Sequence, residues 1–254
     1  MTQCTELWVD RNQLRNTRIE SAEVPTPLEG EVLVAIDRFG LTSNNVSYAV
    51  SGDTIGYWGY YPAEGNWGKV PVWGCADVVQ SHCPDVPAGE RIWGFFPMAS
   101  HVDLQPGKVR QDQFVDVAEH RQALPHLYNG YRRTGAEPEF LRQMEVERCL
   151  LFPLFITSYV LYDRLLDNAF FGAAQVVIGS VSSKTGFGLA EMLHGDPGVT
   201  QRVIGLTSPA NVDFVEGLGC CDQVVVYGEE TRIDASLPTA YVDMAGDVGL
   251  TRSL

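Results

Sequence analysis

Residues 175–193 have the sequence QVVIGSVSSKTGFGLAEML, in which a short apolar run leads through a serine- and glycine-rich turn into a helical pattern. An uninterrupted apolar run such as Gln175–Gly179 is typical of a strand buried on both faces of a sheet. The turn directs backbone N–H groups and the positive end of a helix dipole toward one point, which suits a phosphate group. The segment therefore predicts the start of a dinucleotide-binding βαβ unit.

The same alternation continues along the chain. Further strands are predicted at Arg202–Thr207, Gln223–Tyr227 and Ala240–Ala245, with helices at Gly186–His194 and Val212–Gly217. Strands that alternate with helices of this length predict a parallel sheet with right-handed connections.

The end of the second predicted strand indicates which nucleotide is bound. An acidic residue there would hydrogen-bond the ribose 2′-hydroxyl of NAD, but this chain has Thr207 and Ser208. The sequence therefore favours NADP over NAD. Lys184 is either a cation for the phosphate or an ordinary exposed lysine. The predicted cofactor-binding residues are Gly179, Ser180, Ser182, Ser183, Lys184, Thr185, Gly186, Gly188, Thr207, Ser208 and Tyr227.

A P-loop is the competing interpretation of this turn. Lys184 and Thr185 match the last two positions of GxxxxGK[ST], but Ser183 and Ile178 stand where the motif requires glycine. The spacing from Gly179 to Gly186 also departs from GxGxxG. A P-loop phosphotransferase therefore stays as a less favoured alternative.

The first half of the chain has a different pattern. Strands are predicted at Glu31–Asp37, Val70–Gln80 and Arg91–Phe96, separated by proline and glycine, which suggests a small, partly open barrel. The polar stretch 102–148 is predicted to be a partly helical connection over the surface. We expect a β-rich domain with this connecting segment at 1–138 and a nucleotide-binding domain at 139–254.

Composition narrows the classes of partner. The net charge of −14 argues against nucleic acid and against anionic membranes. Six cysteines without framework spacing indicate a reducing compartment, the cytoplasm. The apolar run Cys149–Tyr162 is too short to span a bilayer and contains Pro153, so a buried helix is expected. A small-molecule substrate is the expected partner, and a homodimer is left open.

The chain resembles the medium-chain dehydrogenase/reductase superfamily, in its zinc-independent quinone-oxidoreductase-like branch. The resemblance lies in LLFPLFITSYVLYDRLLDNAFFGAAQVVIGSVSSKTGFGLAEML and in the later positions Ser208, Leu218–Gly219 and Tyr227, with GEVLVAIDRFGLTSNN and PAGERIWGF in the first half. It is most similar to a poorly characterised reductase-like family known as a domain of unknown function. The resemblance implies a GroES-like, partly open β-barrel domain followed by a Rossmann-type parallel sheet.

Departures from the superfamily limit what the resemblance implies. Relatives often carry Asn-Pro-x-Asp where this chain has Thr42 to Asn45, and Ser43 and Val72–Gly74 stand near the places of the zinc ligands, so no metal is expected. The sequence also stops at Leu254, shortly after the fourth predicted strand. Since the superfamily's sheet has six strands, a truncated sheet and an incomplete nicotinamide pocket are expected.

The function implied is an NADPH-dependent, zinc-independent oxidoreductase that reduces an activated C=C bond or a quinone. By resemblance, Tyr48 and Asn45 follow the loop that faces the nicotinamide, so they are the candidate catalytic residues. The alternative is a non-catalytic nucleotide-binding or scaffold protein, and whether the chain is an enzyme stays open. A group of aromatic residues either lines an apolar substrate cleft, plugs the barrel end or packs the domain interface: Tyr57, Trp58, Tyr60, Tyr61, Trp67 and Trp73.

Overall fold

The structure, a computed structural model, describes residues 3–254. The chain divides into two compact units, one up to Leu150 and one from Leu151 to Leu254. The division falls inside a helix, and the domain boundary expected between residues 138 and 139 stays a prediction.

The first unit is built mainly from antiparallel strands. These are β1 Gln3–Asp10, β2 Gln13–Glu23, β3 Val32–Gly40, β4 Trp67–Gly68, β5 Pro71–Ser81, β6 Arg91–Pro97, β7 His101–Leu104, β8 Pro106–Gly107, β9 Gln113–Asp116 and β10 Gly130–Arg133. Its helices are α1 Ser43–Val50, α2 Gly52–Ile55 and α3 Glu139–Gln143, with 3-10 turns at Tyr57–Gly59, Glu119–Arg121, His126–Asn129 and Thr134–Ala136.

The strands form a small sheet of order β2-β1-β4 and a seven-stranded, barrel-like sheet of order β7-β3-β5-β6-β10-β9-β8. The apolar side chains that β3, β5 and β6 turn inward, such as Val34, Val78 and Ile92, form one core with Phe114 and Tyr131. The predicted β-rich barrel is confirmed.

The prediction for residues 102–148 is wrong in its first part. Strands β7 to β10 lie in this stretch, and Phe114 and Tyr131 are fully buried rather than on a surface connection. These strands are two to four residues long, so alternation of apolar and polar residues has no room to become visible. The hairpin of β1 and β2 was not predicted either, because β2 is polar and largely exposed.

The second unit is an α/β layer structure. Its strands are β11 Gln175–Ile178, β12 Arg202–Thr207, β13 Gln223–Val226 and β14 Thr239–Val242. The helices from the unit boundary onward are α4 Glu145–Asp167, α5 Lys184–Gly195, α6 Val212–Leu218 and α7 Val248–Ser253, with 3-10 turns at Ala169–Gly172, Pro209–Asn211 and Glu230–Arg232. The sheet order is β13-β12-β11-β14 and all pairs are parallel. The predicted parallel βαβ arrangement is confirmed.

Strand β11 is buried on both faces of this sheet. Val176 and Ile178 pack with Leu189 and Leu193 of α5 on one side. Val177 lies in a second cluster with residues of β12 and β13 and with Leu250 of α7. The consecutive apolar residues 176–178 are therefore what burial on both faces requires, which is why this stretch of sequence was informative.

Helix α4 departs from the expectation of a buried helix. It runs for 23 residues, about 34 Å, and by length and composition it is the one helix in the described residues that could cross a membrane. Only 17% of its most apolar window is buried. Apolar side chains such as Tyr159 and Val160 are exposed, because apolar residues occur on more than one side of the helix.

The first unit contains a buried ion pair next to β9. Arg121 Nε lies 3.0 Å from Asp116 Oδ2, and both side chains are only 2% exposed. The other Asp116 oxygen accepts from the backbone N–H of Ala118, and Arg121 also donates to the Tyr131 hydroxyl. These additional bonds offset much of the cost of removing two charges from water.

We expect Arg121→Met to lower the free energy of unfolding by about 3 kcal/mol or more, because it leaves the Asp116 carboxylate buried without its cation. Arg232→Met is the matched control, since the Arg232–Glu229 pair is more than half exposed and should contribute at most about 1 kcal/mol. Urea unfolding at pH 7 measures both. Equal losses of unfolding free energy in the two variants would contradict the burial of the Asp116–Arg121 pair.

Asp103 on β7 predicts a pH dependence. Its Oδ1 atom is buried without a hydrogen-bond partner in the described residues, and burial, with repulsion from Glu31, raises the pKa of this carboxyl to about 6 from 3.8. Between about pH 4 and 6 the folded protein therefore holds more protons than the unfolded chain, so this group lowers stability as pH rises. Asp103→Asn should raise the unfolding midpoint at pH 7 more than at pH 4. An equal effect at both pH values would contradict this.

Candidate functional site

The turn between β11 and α5 has the form of an anion cradle. Ser183 caps α5, and its Oγ accepts from the backbone N–H of Gly186 at 3.1 Å. The N–H groups of Lys184 and Thr185, in the first turn of the helix, have no acceptor within it. They lie at the positive end of the helix dipole, which favours a negatively charged ligand.

Two glycines allow the close packing of this turn. A Cβ on Gly186 would lie 2.6 Å from Ser180 O and 2.8 Å from Val181 Cα, both backbone atoms. A Cβ on Gly188 would lie 2.7 Å from the hydroxyl of Ser158, which donates to the carbonyl of Thr185 at 2.8 Å. The turn can therefore fold back on the helix only if glycine occupies position 186.

Side chains from neighbouring strands meet at the turn. Ser182 Oγ accepts from Thr207 Oγ1, at the end of β12, at 3.1 Å, and from Asn211 Nδ2 at 3.1 Å. Tyr227, directly after β13, accepts with its hydroxyl from the N–H of Ser180 at 2.8 Å. Because parallel strands end at one edge of the sheet, these residues meet although up to 47 positions separate them.

The structure brings most of the predicted cofactor-binding residues to this edge. Gly179 follows β11 and donates its N–H to Val242 O at 2.9 Å, and Ser208 follows β12 half-buried. Ser180 adopts a positive φ of 51°, a conformation that is uncommon outside glycine. Asn211 was missed by the sequence analysis. Its position four residues after the end of the second predicted strand was the available signal.

The other predicted residues lie in the first unit, at helix α1. Asn45 is 5% exposed, and its side chain completes the capping box of the helix. Its Oδ1 accepts from Thr42 N at 2.8 Å and its Nδ2 donates to Pro71 O at 3.0 Å. Both the oxygen and the nitrogen of this amide are therefore hydrogen-bonded to the protein's own backbone.

Tyr48 lies in an aromatic cluster with its hydroxyl bound by two donors. Its Oη accepts from Asn44 Nδ2 at 3.0 Å and from Trp73 Nε1 at 3.4 Å. Burial raises the pKa of this phenol to about 12, while the two hydrogen bonds act in the opposite direction. The hydroxyl is therefore protonated at neutral pH.

The aromatic residues considered as a cleft lining are mostly core. Each of the following is less than 10% exposed: Tyr57, Trp58, Tyr60, Tyr61 and Trp73. Tyr57 lies between the rings of Tyr48 and Tyr128, with centroid separations of 4.5 and 5.4 Å. Trp67 is half-buried under the guanidinium of Arg18. Packing within the first unit is thus the interpretation that the geometry favours.

The described residues contain no group of three or more His, Cys, Asp or Glu side chains that could hold a metal ion.

Comparison with known proteins places the chain in a family. A family model described as "Protein of unknown function (DUF2855)" matches residues 39–254. The chain belongs to this family. No curated protein matches it.

Solved structures with low sequence identity share the fold of this DUF2855 chain. The quinone oxidoreductase of Coxiella burnetii is 15% identical with a TM-score of 0.54, covering 97% of this chain and 70% of that one. The quinone oxidoreductase of Thermus thermophilus, solved also with NADPH, is 16% identical with a TM-score of 0.57, covering 98% and 69%. The human synaptic vesicle membrane protein VAT-1 homolog-like protein is 16% identical with a TM-score of 0.55, covering 92% and 65%.

The chain therefore spans about two thirds of the length of these proteins. Its fold is that of these quinone oxidoreductases, with a GroES-like, barrel-like domain and a Rossmann-type parallel sheet, as the sequence predicted.

We expect Gly186→Ala to destabilise the protein by about 1–3 kcal/mol, because the added Cβ meets backbone of the β11–α5 turn that must shift. Gly195→Ala, at the other end of the same helix, is the control, since its Cβ would meet nothing within 4 Å. Thermal unfolding followed by circular dichroism compares the two. A harmless Gly186→Ala would mean that the turn is not packed as described.

Proposed function

We propose that this chain binds NADPH at the β11–α5 turn and belongs to a zinc-independent oxidoreductase that reduces an activated C=C bond or a quinone. The observation that carries the proposal is the turn itself. Its Gly186 packing and first-turn N–H groups form a site for a pyrophosphate, beside hydroxyls contributed by two further strands. The fold shared with quinone oxidoreductases supports the choice of reaction class.

The chain's residues fit a dinucleotide in a specific way. The N–H groups of Lys184 and Thr185 would hold the phosphates, and the hydroxyl pair Ser182–Thr207 with Asn211 would meet the adenosine ribose. No acidic residue stands at the end of β12, which favours the 2′-phosphate of NADP over the free hydroxyl of NAD. Lys184 supplies a cation in the same turn. When bound, NADPH supplies a hydride to the substrate.

Tyr48 is our candidate for the proton that a reduced C=C bond or quinone requires. Its phenol is protonated at neutral pH and its conjugate base would be stabilised by the two N–H groups that bind its oxygen. Asn45, which sequence analysis also proposed, holds backbone at both ends of its amide. We therefore propose for Asn45 the role of holding helix α1, and with it Tyr48, in place. A cytoplasmic location of the protein and a small-molecule substrate, with no nucleic acid or membrane as partner, stay part of the proposal.

A nucleotide-binding protein without catalysis is the second candidate. The observation that favours it is the burial of Tyr48, which is 7% exposed within a packed aromatic cluster. The fold alone does not decide between the two, since it carries unrelated functions on one scaffold. Activity measurements distinguish them.

Isothermal titration should detect NADPH binding that is tighter than NADH binding, and Lys184→Ala should weaken NADPH binding about tenfold, or about 1.4 kcal/mol. Lys108→Ala, which lies in the first unit, should leave both affinities unchanged. Absence of binding of either nucleotide would overturn the proposal. Magnesium-dependent ATP binding that requires Lys184 would instead favour the P-loop alternative.

NADPH oxidation with a panel of quinones and enones should be lost about 100-fold or more in Tyr48→Phe, because general acid catalysis contributes on that scale. Tyr60→Phe, a neighbouring phenol that donates to Pro125 O instead, should retain activity. NADPH binding without oxidation of any panel member would favour the non-catalytic candidate.

A further inference from the structure

Two N–H donors converge on a single phenol oxygen in the first unit. Asn44 Nδ2 and Trp73 Nε1 both lie within hydrogen-bond distance of Tyr48 Oη, at 3.0 and 3.4 Å. The indole N–H of a tryptophan can only donate, so the Tyr48 oxygen must accept in that direction. A phenol oxygen that accepts two bonds still has one proton to donate.

The surroundings hold both donors in place. Asn44 lies four residues before Tyr48 on α1, so their side chains share one face of the helix, and the capping box of Thr42 and Asn45 fixes the start of that helix. Trp73 stacks on Trp93 with ring centroids 4.7 Å apart and planes 18° apart. The indole N–H is therefore oriented by packing as well as by its hydrogen bond.

The proton of the Tyr48 hydroxyl has a different environment. In the described residues Tyr48 Oη accepts two hydrogen bonds, and its own O–H group donates none. A buried phenol, 7% exposed, with both acceptor directions filled has one direction left for its O–H bond. An O–H group without a protein acceptor can bond to a substrate atom.

We propose that Asn44 and Trp73 are positioning residues, which occupy the acceptor directions of the Tyr48 oxygen so that its proton is directed to the substrate. The inference rests on the proposed function. In the step itself the O–H bond of Tyr48 breaks, a C–H or O–H bond forms on the substrate that has received hydride, and the electron pair stays on the phenolate oxygen. The two N–H groups stabilise that phenolate, and solvent returns the proton.

The first test needs no substrate. Replacing Tyr48 by 3,5-difluorotyrosine lowers the phenol pKa into a range where the protein stays folded, and fluorine NMR then follows its ionisation. Asn44→Leu and Trp73→Phe should each raise this pKa by about one pH unit or more, since each removes a hydrogen bond to the charged oxygen. Asn44→Asp should raise it further, because a carboxylate repels the phenolate. Tyr60→Phe is the control, because the Tyr60 hydroxyl donates to Pro125 O and not to Tyr48. This variant should leave the pKa of Tyr48 unchanged.

An unchanged or lowered pKa in Asn44→Leu would overturn the inference, since the amide would then present its oxygen rather than its nitrogen. Because Asn44 is only half-buried, this variant also decides the question if Trp73→Phe does not fold.

The second test measures the pH profile of kcat for NADPH oxidation. In Asn44→Leu the alkaline limb of this profile should move to higher pH together with the phenol pKa. An unmoved limb would overturn the inference. If the wild type binds NADPH but oxidises it with no substrate, the proposed function fails, and the pKa measurements still decide whether Asn44 and Trp73 position the hydroxyl.

Discussion

The burial of β11 on both faces is the constraint from which the second unit is built. Each of its four residues is fully shielded from solvent, so a helix has to cover one face and other apolar residues the other. Its two hydrogen-bonding edges are taken by β12 and β14. A strand so enclosed fixes where its carboxyl end emerges, and the turn that follows can approach α5 only through a glycine at position 186. The shape of the β11–α5 turn is thus a consequence of how the sheet is covered.

The core of the first unit contains buried charges as well as apolar side chains. Its barrel-like sheet encloses an aromatic and aliphatic core together with the buried pair of Asp116 and Arg121. The pair is held by additional hydrogen bonds to backbone N–H and to Tyr131, and buried charges need such partners to avoid a large desolvation cost. The aromatic cluster around Tyr48 is similarly packed, and its polar atoms bind one another or backbone carbonyls. The proposed proton transfer from Tyr48 therefore depends on the one direction of its hydroxyl that Asn44 and Trp73 do not occupy.

The two candidate regions differ in how far sequence could predict them. The β11–α5 turn is local: strand, glycine, serine cap and helix follow one another within about 20 residues, and each has a recognisable preference. The donors at Tyr48 come from α1 and from β5, 25 positions away, and nothing in either segment indicates that they meet. Likewise the family resemblance made Asn45 a catalytic candidate, but it could not show that the side-chain amide of Asn45 bonds to the backbone of Thr42 and Pro71.

The sequence by itself determined the parallel α/β pattern after residue 174, the β-rich character of the first half and the position of the serine- and glycine-rich turn between β11 and α5. It could do so because apolar periodicity and turn chemistry act over a few neighbouring residues. Only the tertiary structure decided that β8 and β9 are strands, that helix α4 is largely exposed, and that Ser182 meets Thr207 and Asn211. These outcomes depend on pairings between distant segments, whose free energy comes from burial and hydrogen bonds that no single segment encodes.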